Sequence, residues 1–184
     1  FARAVPHDSA LAAVVPAVNG VPVAEAAAAI VEGILLARYE FSLKSTPSVA
    51  KPVEGIVLVA PDGASDDVRA GGARGLATAR AGMLGRDLAG CPAGLLTASR
   101  MAELAVRIGA EAGLDVQVHD RRALIELGCG GLLGVNKGSV EEPRMIVLTY
   151  TPAGEPTGHL ALVGKGIMYD SGGIALKPGD LSHS

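Results

Sequence analysis

Aromatic residues are scarce in this chain. It has no tryptophan, two phenylalanines and three tyrosines among 184 residues. Proteins that hold single-stranded nucleic acid stack bases on aromatic rings, so that role is excluded. Charge of one sign is also missing. The formal net charge is −3 with both signs spread along the chain, and no basic run points to nucleic acid or an anionic membrane surface. Cysteine is nearly absent. Cys91 and Cys129 stand far apart, match no C-x-x-C pattern, and read as two buried thiols in a reducing compartment. No apolar run approaches the roughly 20 residues of a membrane span, because the early run 11–18 is broken by Pro16. The amino end also lacks the basic-then-apolar order of a secretory signal. The chain begins at Phe1 with no initiator methionine and is read as a piece of something longer.

What is present suits a folded domain. Apolar residues make up 49% and charged residues 19%, enough for a substantial core. Twenty-five glycines and abundant alanine favour tight turns and close helix packing. Residues 1–20 carry no clear period. Residues 23–39 read as a helix rich in Ala, Glu and Leu, with Pro22 suited to its first turn. Residues 45–52 form a connector, and the β-branched run 55–60 reads as a buried strand. A turn at Pro61-Asp-Gly-Ala precedes a long helical pattern ending at Leu88, weakened by Gly71, Gly72, Gly75, Gly82 and Gly85. Such a glycine-laced helix needs tight packing against a neighbour.

Thr97 is a candidate N-cap for a helix to Ala112, with Met101, Leu104, Ala105 and Ile108 on one face and Gly113 ending it. A strand is expected over 115–119, then a short helix capped by Asp120 through Leu127. A glycine-rich loop over 128–138 follows, then strands over 144–150 and 159–163. The alternation predicts an α/β fold with a mixed or parallel sheet. The composition change at 61–65 is the best candidate boundary.

Chemistry concentrates near Lys165, Asp170 and Lys177, set among glycines. Two amines and a carboxylate suggest a metal site or an anion site. A phosphate-binding loop around Lys165 fails twice, since His159 holds the earlier glycine position and Gly166 replaces the hydroxyl residue. Ser171 fails the nucleophile-elbow pattern because Tyr169 stands where a glycine is required. His7, His119, His159 and His183 are scattered, and no H-E-x-x-H helix exists. Asp170 suits either a cation or an Asx-turn bonding its own backbone. Lys177, before Pro178 and Gly179, by itself reads as a solvated surface lysine. In a continuous strand Lys165 and Asp170 would face opposite ways, and Gly164 and Gly166 permit the bend that brings them together.

Residues 163–178 read Val-Gly-Lys-Gly-Ile-Met-Tyr-Asp-Ser-Gly-Gly-Ile-Ala-Leu-Lys-Pro. This resembles the motif of the leucine aminopeptidase (cytosol aminopeptidase) family, with Tyr169 in place of a phenylalanine. Gly85-Arg-Asp-Leu, Pro92 and Leu96-Thr97 resemble an earlier family segment, although Gly90 and Gly94 replace its asparagines. Leu127-Gly-Cys-Gly-Gly-Leu-Leu-Gly-Val and Pro143-Arg-Met-Ile-Val-Leu-Thr-Tyr resemble later ones. The likeness covers most of the chain from about Val23 onward.

The resemblance implies a hexameric, cytoplasmic peptidase that releases N-terminal amino acids from peptides. It would use two divalent metal ions, zinc or manganese, and a bicarbonate in the complete site. Lys165 then resembles the lysine that binds one metal through a neutral amine, and Asp170 the carboxylate shared by both. Lys177 resembles the charged lysine that polarises the scissile carbonyl and stabilises the oxyanion. The chain would comprise the end of an N-terminal α/β domain (1–65), a connecting helix (66–88) and the first part of a mixed-sheet catalytic domain (89–184). The family's remaining metal-binding carboxylates and its bicarbonate-holding arginine would lie beyond Ser184. The 184 residues alone are therefore expected to be inactive and, with a half-built sheet, unstable or aggregating. The alternative is a truncated, non-catalytic homologue acting as an interaction or scaffold piece.

Overall fold

The computed structural model describes residues 1–46 and 48–169. The described residues are α/β, and the chain divides into two compact units, Phe1–Gly90 and Cys91–Ser184. The long helical pattern expected to connect two domains lies in the first unit, and the composition change at 61–65 falls inside that unit.

The first unit is built from β1 (Ala10–Val14), α1 (Val23–Arg38), β2 (Gly55–Val59) and α2 (Ser65–Gly90). The unassigned amino-terminal region thus contains a strand. β1 runs parallel to β2, with Ala10 opposite Gly55 and Val14 opposite Val59. The alternation of side chains sorts the pair into two faces. Leu11 and Ala13 share one face with Ile56 and Leu58. On that side Leu11 joins Ile34 of α1 and Ala2 in a cluster with Ile30, Val53 and Ile56 packed around it. A second cluster joins Val15, Ala27 and Val68, bringing α2 into the core. The opposite face carries Ala10, Ala12, Val14, Gly55, Val57 and Val59, with Val14 70% and Val57 63% exposed.

Pro22 stands at the N-cap of α1 rather than in its first turn, and its carbonyl accepts from the N–H groups of Glu25 (2.9 Å) and Ala26 (3.1 Å). The turn before α2 forms as its residues predict. Gly63 takes the left-handed φ of +75° that glycine tolerates, and Ala64 N–H donates to Pro61 O at 3.1 Å. α2 needs its glycines for packing. It buries Val68, Gly71, Gly75 and Ala79, at steps of three, four and four residues, against α1. A Cβ on Gly71 would lie 2.7 Å from the Ala24 carbonyl carbon, and one on Gly75 2.8 Å from Ala28 Cα. Two small-residue rows therefore bring the helix backbones into direct contact.

Arg38 ends α1 and fastens the start of the chain to it. Its guanidinium donates to the carbonyls of Ala2 (3.2 Å), Val5 (2.9 Å), Pro6 (2.8 Å), Asp8 (3.2 Å) and Lys51, while its Nε is buried without a partner. Next to it, Tyr39 donates its hydroxyl to Asp87 of α2 at 2.8 Å and lies under the Arg86 guanidinium, 5.6 Å from the ring centre.

The second unit contains α3 (Ala98–Ala112), β3 (Asp115–His119), α4 (Arg121–Glu126), α5 (Gly130–Val135) and β4 (Met145–Thr149). Both ends of α3 follow from sequence. The Thr97 hydroxyl accepts from Arg100 N–H at 3.3 Å, and Gly113 closes the helix at φ +69°. Ala102, Ala105 and Gly109 are its buried residues. A Cβ on Gly109 would run into Val116 Cγ2, so this glycine sets how closely α3 approaches β3. β3 and β4 are antiparallel, with Asp115 opposite Thr149 and His119 opposite Met145. The Asp120 carboxylate caps α4 by accepting from Ala123 N–H at 2.9 Å, and Leu124 is fully buried.

Two expectations fail here. The glycine-rich segment 128–138 is not a loop throughout. Only Gly128 is left-handed (φ +71°), and the rest forms α5 and a 3-10 turn, Asn136–Gly138. Glycine permits irregular backbone without requiring it, and Leu133 N–H finds a helical partner in Cys129 O at 3.1 Å. The strand expected over 159–163 is not formed. An extended run becomes a strand only when another backbone takes its N–H and C=O groups. Among the described residues none pairs with it, and Leu160, Leu162 and Val163 are 87%, 89% and 97% exposed.

Candidate metal site

Of the three residues expected to form the site, Lys165 is described; Asp170 and Lys177 lie outside the described residues. Lys165 sits between Gly164 and Gly166 in a segment without helix or strand, and it is exposed. The structure describes only the first of the three. It places Lys165 downstream of β4, reached through the irregular segment Pro-Ala-Gly-Glu-Pro of residues 152–156.

The donor set can be tested against two dications by its chemistry. An ammonium has no lone pair, so Lys165 binds a metal only after giving up a proton, while a carboxylate at Asp170 supplies oxygen directly. Both donor types suit zinc or manganese. Their number does not. Zinc commonly takes four ligands and manganese about six. Among the described residues no group of three or more histidine, cysteine, aspartate or glutamate side chains could hold an ion. The described residues do not by themselves close a metal centre.

No other part of the described structure offers a rival site. An open hollow of about 320 Å³ lies against α4, lined by Asp120, Arg121, Arg122, Ile125, Glu126 and Glu142. Its Arg122 and Glu126 pair with each other at 3.0 Å, in solvent. A second, of about 580 Å³, lies along α3, where Arg100 and Glu103 pair at 3.0 Å. Exposed pairs of this kind are worth at most about 1 kcal/mol and focus little charge on a ligand. Neither hollow includes Lys165. His119 ends β3, His7 lies near the amino end, and His159 lies in the irregular segment; they do not cluster. Cys91 and Cys129 are free thiols and are half-buried rather than buried.

The chain is similar to known proteins over most of its length. The profile described as "Cytosol aminopeptidase family, catalytic domain" matches residues 83–183. The probable cytosol aminopeptidase of Chlorobaculum tepidum is 39% identical over 163 residues, covering 84% of this chain and 32% of the relative. That of Solibacter usitatus is 43% identical over 155 residues, with the same coverage of each. Among solved structures, the bottromycin maturation enzyme BotP in complex with Mn has a TM-score of 0.71 at 36% identity, covering 83% of this chain and 31% of that one. A mutant of tomato leucine aminopeptidase has a TM-score of 0.77 at 28% identity, covering 93% and 35%. The chain thus spans about a third of the length of the relatives it matches.

Proposed function

The chain belongs to the cytosol aminopeptidase family, and from that premise we propose that it forms part of a metal-dependent, leucyl-type aminopeptidase releasing N-terminal amino acids from peptides. The observation that carries this reading is the motif at 163–178, which lies inside the matched residues 83–183. The manganese complex of BotP, similar over 83% of this chain, supports metal dependence.

In this reading Lys165 and Asp170 are metal ligands and Lys177 is the catalytic cation. The complete site holds two divalent ions, zinc or manganese, and a bicarbonate. When bound, the metals supply Lewis-acid polarisation and an acidified water. The chain's own residues do the rest. Lys165 offers its amine lone pair, Asp170 its carboxylate, and Lys177 keeps its proton so that its ammonium faces the carbonyl oxygen as charge develops there. The working protein is a cytoplasmic homo-oligomer, a hexamer, with residues 1–65 ending an N-terminal domain, 66–88 connecting, and 89–184 opening the catalytic domain. Among the described residues no helix is long and apolar enough to cross a membrane.

The test uses the full open reading frame that contains these residues. Purified with manganese or zinc, it should release product from leucine p-nitroanilide, lose that activity on chelation, and regain it when metal returns. Lys177→Ala should lower kcat by about 10²–10³ with metal content unchanged. Lys165→Ala should lower metal content itself. Metal-replete protein without peptidase activity would sink the proposal. The 184-residue polypeptide by itself should be inactive even with metal, since two donors do not hold two dications.

A second reading treats the chain as a non-catalytic interaction piece. The exposed apolar side chains Val14 and Val57 favour it. It requires the 184-residue polypeptide to co-elute with full-length subunits in size-exclusion chromatography.

A further inference from the structure

We draw no further inference here: the strongest candidate, the outer face of the β1–β2 sheet formed by Ala10, Ala12, Val14, Gly55, Val57 and Val59, is an unpartnered apolar face and nothing in the structure shows what covers it.

Discussion

Glycines in α2 differ in what surrounds them, and substitution should separate them. Alanine in place of a helical glycine gains about 1 kcal/mol from propensity alone. At Gly85 nothing lies within 4 Å of the added methyl, so Gly85→Ala should raise stability by up to that amount. At Gly71 and Gly75 the methyl meets the α1 backbone, which cannot step aside as a side-chain tip could. Overpacking of this kind costs about 1–3 kcal/mol. Gly71→Ala and Gly75→Ala should therefore lower the denaturation midpoint. Equal stabilisation at all three positions would refute the close approach.

Arg38 and Tyr39 make separate predictions. Arg38→Lys keeps the charge but loses the planar fork that reaches several carbonyls at once. We expect a loss of about 2 kcal/mol, and faster amide exchange confined to residues 2–8 and around Lys51. Protection left unchanged there would show that the contacts are incidental. The Tyr39 hydroxyl is held above its ordinary value of 10.0, first by desolvation, then by its bond to Asp87 and by that carboxylate's charge, with Arg86 opposing. The folded state thus favours the protonated phenol. Its contribution is fully present below pH 10 and is lost as pH rises through the elevated folded value. Ultraviolet titration should show one tyrosine ionising late, and Asp87→Asn should bring it earlier.

Elements whose cause is local were legible in sequence. α3 has its cap, apolar stripe and terminal glycine within 17 residues, 97–113, and it forms as those signals predict. Removing the cap with Thr97→Ala should cost about 1 kcal/mol, measured by thermal unfolding. A neutral result would mean the hydroxyl bond to Arg100 adds nothing. β1 was not legible, because Ala-Leu-Ala-Ala-Val has little alternation of polarity and its partner β2 lies across α1. Residues 159–163 fail in the opposite way, with a strand-like composition and no partner among the described residues. α5 was hidden by Gly130, Gly131 and Gly134, which a residue-by-residue reading takes as loop. The Gly71–Gly75 packing was anticipated in kind, as a need for a close neighbour, while the identity of that neighbour as Ala24 and Ala28 required the fold.

For the whole molecule, the division into two units sets how it should behave. The candidate site was legible only through the long motif match, because each of Lys165, Asp170 and Lys177 has an ordinary explanation when taken singly. Outside that motif the second unit adds no metal-binding cluster among its described residues. The exposed apolar side chains, including Val14, Val57, Leu160, Leu162 and Val163, predict that the isolated 184-residue polypeptide self-associates. Static light scattering across a concentration series should show mass rising with concentration. A monomer with a sharp cooperative melt would contradict this.

The parallel pairing of β1 with β2 also bears on how the protein is made. Ala10 waits for Gly55, and the intervening chain must leave the ribosome before the two can bond. At roughly 5–20 residues per second, that delay is about 2–9 s. Throughout it, the strand that ends at Val14 lacks its partner β2. Slowing translation within residues 15–54 would lengthen that interval.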